Sequence, residues 1–270
     1  MSITSTGIAG VDIFGKSLKF PEGPVACADG SVLVVEMFGE RITRIKPDGS
    51  TVVVAEVPGG PNGLAECADG SLVVCNNGGS FTPIDLGTLI LPGPFDPARH
   101  TGGRIERVDA KTGKITRLYD SCDGHPLRGP NDLVLDGNGG FYFTDHGIRH
   151  ERSGDRTSIY YAKLDGSMIK EVVFPVEAPN GIGLSPDGTK LYYAETHTAR
   201  TDHRVELRPA FRRLEQLLFD MAETGGGLLD LQFRHARQEL VQRRVEEAHR
   251  DGEARHLAED CREVFLLHLA

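Results

Sequence analysis

The sequence predicts an all-β chain built from repeated four-stranded sheets, the organisation of a β-propeller. Two observations carry this. A proline-led segment occurs four times, as Pro21-Glu22-Gly23-Pro24, Pro61-Asn62-Gly63-Leu64, Pro130-Asn131-Asp132-Leu133 and Pro179-Asn180-Gly181-Ile182. Each time a turn pair (Asp29-Gly30, Asp69-Gly70, Asn138-Gly139, Asp187-Gly188) begins eight residues after the proline, and a short apolar run follows. Asp-Gly or Asn-Gly between such runs signals a hairpin. Self-similarity at roughly 40–50 residues with about four strands per period signals propeller blades. The 33 glycines and 15 prolines fit a chain of many tight turns.

Taken in order, residues 11–20 alternate loosely and read as an edge strand entering the first repeat. That repeat spans residues 21–60. Residues 32–35 form its apolar run, 41–45 alternate at period two, 46–50 supply a Pro-Asp-Gly turn and 51–54 a further strand. The second repeat opens at Pro61 and is interrupted by an insertion at residues 76–101, rich in Gly, Pro and Asn. Its strands resume at 104–108 and 115–119. Long loops in compact domains are commonly lids or disordered; Leu86, Leu89, Ile90 and Leu91 make part of the insertion apolar enough to pack and favour a lid or rim. The third repeat, from Pro130, contains strands near 158–162 and 171–174. The fourth, from Pro179, continues through 204–207 and 217–219. Residues 225–230, Gly-Gly-Gly-Leu-Leu-Asp, stand where a fifth repeat should open.

After Asp230 the style changes. Residues 231–270 hold no proline, one glycine and a helix-forming composition, with apolar residues recurring at three and four rather than two. The expected organisation is a partial propeller over residues 1–230, about four blades, and a charged helical or disordered tail over 231–270. Such a break in pattern within one chain is locally inconsistent. It reads as a shifted reading frame or a fused segment more readily than as a genuine helical tail.

Composition narrows the function. A net charge of −9 argues against nucleic acid as a partner. No stretch approaches the ~20 apolar residues of a membrane helix, and the N-terminus carries no signal-peptide pattern. Five cysteines, an odd number with no CxxC pair, suggest packing rather than a disulfide framework or zinc site, and a reducing cytoplasm.

In a propeller the first strand of each blade lines the central channel. The polar residue after each proline would then point to the axis, so Glu22, Asn131, Asn180 and Asp230 can converge from four blades. Two carboxylates and two amide oxygens form a hard, oxygen-only set. Ca2+ suits it best, with Mg2+, Mn2+ or Zn2+ as alternatives. Singly, each residue reads as a turn former; four in register favour the metal. Asn62 shares the pattern and is either a substrate contact or a turn residue. Asp145 and His146, ending an inner strand, are candidate substrate contacts at the channel mouth, although a surface hairpin contact is the plainer reading. No nucleophile elbow or phosphate loop is present.

The segments "PEGP", "PNDLVLDGNGGFYFTD", "APNGIGLSPDGTKLYYAET" and "GGGLLD" resemble the regucalcin/gluconolactonase/luciferin-regenerating-enzyme family over about residues 15–230. The resemblance implies a six-bladed propeller, here incomplete, with one divalent cation in the channel. It implies a metal-dependent hydrolase of sugar lactones. Glu22, Asn131, Asn180 and Asp230 match the family's ligands, and Asp230 its catalytic base or nucleophile. Past Asp230 the match ends. The rival expectations are a calcium-binding propeller without catalysis and the inactive product of a damaged gene. A small-molecule lactone is the expected partner, with no nucleic acid and no membrane.

Overall fold

The computed structural model describes residues 4–5, 12–87, 89–196 and 200–206. Every proline-led segment opens the first strand of an antiparallel sheet. Sheet 1 comprises β1 (Pro21–Ala26), β2 (Val32–Glu36), β3 (Arg41–Ile45) and β4 (Thr51–Glu56). Sheet 2 comprises β5 (Pro61–Glu66), β6 (Leu72–Asn76), β7 (Arg104–Val108) and β8 (Ile115–Tyr119). Sheet 3 comprises β9 (Pro130–Leu135), β10 (Gly140–Asp145), β11 (Thr157–Lys163) and β12 (Ile169–Val176). Sheet 4 has three described strands, β13 (Pro179–Leu184), β14 (Lys190–Glu195) and β15 (Arg200–Glu206). Within each sheet the strands lie in chain order. The all-β, propeller-type reading holds for the described residues. The strand expected at 217–219, the fifth repeat at 225–230, Asp230 and the tail at 231–270 lie outside them.

The turns form for the chemical reason the sequence suggests. Asp29 Oδ1 accepts hydrogen bonds from Ser31 N (3.0 Å) and Ser31 Oγ (2.6 Å), and Gly30 N closes on Cys27 O (3.0 Å) at a φ of +79°. The same Asp-Gly-Ser/Thr arrangement is built at Asp69 and Asp187 in the first hairpins of sheets 2 and 4, and at Asp48 between β3 and β4. Glycine is required at the left-handed position and Asp bonds its own backbone. Asn138 stands in a variant of this turn, in which Asp136 Oδ1 takes the amide protons of Asn138 and Gly140.

Sheets 1 to 3 pack on both faces, which explains second strands that are mostly apolar rather than alternating. From sheet 1, Leu33, Val35 and Ile42 pack against Leu64, Leu72 and Val74 of sheet 2. The opposite face of sheet 2, Val73, Cys75 and Ile105, meets Leu133, Phe141 and Phe143 of sheet 3. Tyr142 and Ile159, on the other side of sheet 3, meet Ile182, Leu191 and Tyr193 of sheet 4. The outer face of sheet 1, Val32, Val34 and Ile45, is covered by Phe14 and Leu18. The described part of residues 11–20 does not join the first sheet as the expected edge strand. Asp12–Ile13 pairs with Thr4–Ser5, and the following segment caps the first sheet.

First strands of successive sheets touch backbone to backbone. A Cβ on Gly23 would lie 2.7 Å from Asn62 O and from Leu64 N; one on Gly63 would lie 2.6 Å from Asn131 O and 2.7 Å from Asp132 Cα. Only glycine permits this approach.

The insertion forms a hairpin of its own, Pro83–Asp85 with Ile90–Pro92. The packed lid expected from its leucines is not what is observed: Leu86 is 60% and Leu89 53% exposed. In an antiparallel pair of three residues each, too few side chains face one side to cover another surface. What fastens the insertion is its base. His100 Nε2 lies 3.2 Å from Asn77 O and 3.1 Å from Arg128 O, and Phe95 stands edge-on between His100 and His150.

Candidate functional site

The residue after each proline sits at an irregularity of its strand. Register shifts fall between Glu22 and Val25, Pro61 and Leu64, Pro130 and Leu133, and Pro179 and Ile182. A bulge re-aims the side chain it carries and is frequent beside functional sites. Glu22, Asn62, Asn131 and Asn180 thus share one irregular position in four adjoining sheets. This equivalence puts Glu22, Asn131 and Asn180, with Asn62, at the same end of their respective sheets.

A second repeated feature holds that position. The last residue of every second strand pairs with the proline: Pro21 with Glu36, Pro61 with Asn76, Pro130 with Asp145, Pro179 with Glu195. Its side chain accepts a backbone N–H from the segment entering the first strand. Glu36 takes Lys19 N (2.8 Å) and Asn76 Oδ1 takes Gly60 N (3.0 Å). Asp145 takes Arg128 N and Gly129 N (both 2.7 Å), and Glu195 takes Glu177 N (3.2 Å). Each sheet therefore clamps the entry to its own first strand, and so the residue that follows the proline.

These clamps explain where Asp145 and His146 lie. Neither is the surface hairpin residue that the plainer reading expected: both are buried, Asp145 to 1% exposure. Gly147 N (2.9 Å) adds a third donor to the Asp145 carboxylate. Burial pushes the Asp145 carboxyl above the usual range, and its three backbone hydrogen bonds oppose this. Burial acts on Glu36 in the same upward sense. There the hydrogen bonds from Arg41, Thr43 and Lys19 N prevail and hold the carboxyl below the ordinary value. His146 donates its backbone N–H to Gly129 O (2.9 Å), and its ring meets Phe81 of the insertion edge-on at 5.8 Å.

The candidate ligands differ in what surrounds them. Asn131 is 4% exposed and its Oδ1 has no hydrogen-bond partner. Buried side-chain carbonyl oxygens ordinarily find a donor, so an orphan of this kind fits a cation or a ligand's hydrogen-bond donor. Asn180 donates Nδ2–H to Thr196 Oγ1 (3.2 Å), an arrangement that directs its carbonyl oxygen away from that contact. Asn62 donates Nδ2–H to the Met37 thioether (3.6 Å). Glu22 is half-buried. Among the described residues no three His, Cys, Asp or Glu side chains gather into a metal cluster. The candidate set contributes only one carboxylate there, Glu22, the rest of its oxygens coming from amides. Asp230 lies outside the described residues.

Three residues escaped the sequence reading. Asp132 is buried and joins sheets: its Oδ2 accepts Ile182 N of β13 (3.2 Å) while Oδ1 caps Leu133 N (2.8 Å). It replaces the glycine found at this place in the other three repeats, and that departure was the available signal. Met37 receives both Asn62 and Asn77, the latter at 3.3 Å. The third is Ser80, whose buried Oγ has no partner. Nothing in the sequence around Met37 or Ser80 marks them.

Comparison with known proteins agrees with this fold. Residues 20–206 match the family model described as the SMP-30/Gluconolactonase/LRE-like region. A lactonase drp35 from Staphylococcus haemolyticus is 28% identical over 189 residues, 69% of this chain and 50% of that protein. A lactonase drp35 from Staphylococcus epidermidis is 26% identical over 206 residues, 76% of this chain and 56% of that protein. The chain thus spans about half the length of the curated relatives it matches. Among solved structures, a gluconolactonase from Xanthomonas campestris superposes with a TM-score of 0.57 at 23% identity, covering 74% of this chain and 62% of that one. Regucalcin, a calcium-binding protein from Agrobacterium tumefaciens, gives 0.50 at 20% identity, covering 70% and 55%. Both likenesses concern the fold. With the family model spanning the four sheets and the clamped first-strand positions inside it, the chain belongs to the SMP-30/gluconolactonase/LRE-like family.

Proposed function

We propose that the protein is a lactonase whose site is a single divalent cation held by Glu22, Asn131, Asn180 and Asp230, with Ca2+ as the resident ion and a sugar lactone as the substrate class. The observation that carries this is the buried, unpartnered Asn131 Oδ1, set at the position shared with Glu22 and Asn180. The donor chemistry is consistent: carboxylate and amide oxygens are the ligands of hard cations. The bound ion would supply Lewis-acid polarisation of the ester carbonyl.

The chain's own residues do the rest. Glu22 of sheet 1 provides negative charge and Asn131 of sheet 3 a neutral carbonyl oxygen. Asn180 is oriented by its bond to Thr196. Asp145 holds residues 128 and 129, and with them the start of β9, at fixed height. Phe81 and His146, in edge contact, tie the insertion to the end of β10. Asp230 accepts the proton of the attacking water. Relatives named as lactonases support the reaction class, and the oxygen-only donor set supports the ion.

Calorimetric titration with Ca2+ and acid release from glucono-δ-lactone test the reading together. One bound ion, its affinity lowered at least tenfold in Glu22→Gln, and calcium-dependent turnover are the expected results. Calcium binding without turnover of any lactone would leave a binding protein. Unchanged affinity in Glu22→Gln would remove the ligand assignment.

A further inference from the structure

Only two buried side-chain polar atoms among the described residues lack a partner: Asn131 Oδ1 and Ser80 Oγ. Leaving a hydroxyl buried and unsatisfied is destabilising, a cost that alanine at the same position would avoid. Ser80 is 4% exposed.

Its place in the fold points to a use. β6 ends at Asn76, opposite Pro61, and the chain runs on past that end of the sheet, with Asn77 N bonded to Gly60 O (2.8 Å). The Asn77 side chain then folds the next turn around itself: Oδ1 accepts Gly79 N (2.9 Å) and Ser80 N (3.1 Å). Its Nδ2 donates to Met37 Sδ, the same sulfur that Asn62 approaches. Ser80 is thereby tied through Asn77 and Met37 to Asn62, the sheet-2 counterpart of Glu22, Asn131 and Asn180. The next residue, Phe81, reaches His146 on sheet 3. Ser80, just past the end of β6, and Asn131, at the start of β9, therefore stand at the same end of sheets 2 and 3, whose first strands touch.

We infer that Ser80 is a substrate-contacting residue: its hydroxyl pairs with a ring hydroxyl of the bound lactone and selects hydroxylated lactones over bare ones. This rests on the lactonase reading. The contact is present in ground and transition states alike, so its loss raises KM and leaves kcat nearly unchanged.

The experiment compares wild type with Ser80→Ala on glucono-δ-lactone and on δ-valerolactone, which has no ring hydroxyl. Expected is a KM about tenfold higher for the hydroxylated lactone only, with unaltered kcat and calcium affinity. Equal KM values for both proteins on glucono-δ-lactone would overturn the inference, as would an equal rise on both lactones. Two measurements stand apart from turnover. Ligand-free Ser80→Ala should melt at or above the wild-type temperature; a fall of several degrees would make the hydroxyl structural and end the proposal. D-gluconate, the hydroxylated product, should stabilise wild type more than Ser80→Ala, and equal stabilisation would end it too. If wild type hydrolyses neither lactone, the lactonase reading fails on its own and the gluconate melts decide the role of Ser80.

Discussion

Replacing Gly63 by alanine would place a methyl group 2.6 Å from Asn131 O, 2.7 Å from Asp132 Cα and 3.2 Å from the Asp132 carbonyl carbon. Carbon–carbon contacts settle at about 3.5 Å or more, so the backbone at Asp132 must retreat by about 0.8 Å. It cannot do so cheaply. Asp132 is held to Leu133 N and Ile182 N, and the entry to β9 is held by Asp145. Overpacking a well-filled region costs about 1–3 kcal/mol, and two simultaneous backbone collisions place this substitution near the upper figure. At 2–4 °C per kcal/mol for a domain of this size, Tm should fall by roughly 6–12 °C. The same displacement moves Asn131. A calcium ligand works at roughly 2.3–2.6 Å, so calcium affinity should drop about tenfold or more. Scanning calorimetry and calcium titration read the two effects. Gly154→Ala, where nothing lies within 4 Å of the added carbon, is the control and should behave as wild type. A Gly63→Ala protein with wild-type Tm and wild-type calcium affinity would refute the claim that main-chain contact between sheets sets the position of Asn131.

Asp145→Asn keeps the shape but turns an NH2 group toward backbone N–H donors. Urea unfolding should show a loss of about 2–3 kcal/mol, and an unchanged midpoint would remove Asp145 from its clamping role. The turn aspartates Asp29, Asp48, Asp69, Asp165 and Asp187 titrate below the ordinary value of 3.8, chiefly through the neighbouring Ser or Thr hydroxyl. Because the folded state holds them ionised, their stabilisation is complete above pH 3.8 and lost as pH falls through their lower folded values. Asp145, raised, acts in the opposite sense and favours the fold as it takes up its proton. Urea midpoints should therefore fall between pH 5 and pH 3, and Ser50→Ala should flatten that dependence; a midpoint rising toward pH 3 would contradict the sign.

The repeats were legible because their punctuation is local chemistry. An Asp-Gly-Ser turn satisfies its own backbone, so Asp29, Asp48, Asp69 and Asp187 announce hairpins without reference to anything distant. Register made Glu22, Asn131 and Asn180 legible as equivalents. The clamps were not, since Glu36 and Asp145 grip backbone N–H groups, and a backbone donor carries no residue identity. Asp145, at a strand end, consequently read most plainly as a surface hairpin contact. Leu86 and Leu89 misled for the converse reason: apolar character favours burial only where a surface is within reach, and the short hairpin at 83–92 offers none. Ser80 and Met37 acquire meaning solely from partners roughly 3 and 25–40 positions away in the chain.

The close approach at Gly23 and Gly63 has a consequence for how this chain tolerates change. Spacing between neighbouring sheets is gauged there by main chain against main chain, with no side chain intervening. Side chains deeper in the interfaces, such as Leu33, Val74 or Phe141, could be exchanged for others of like volume with little effect on that gauge. A saturation library scored for folding should therefore be permissive at many core positions yet nearly invariant at these two glycines. Random drift would rewrite most of the interior before it altered the distance between one candidate ligand and the next.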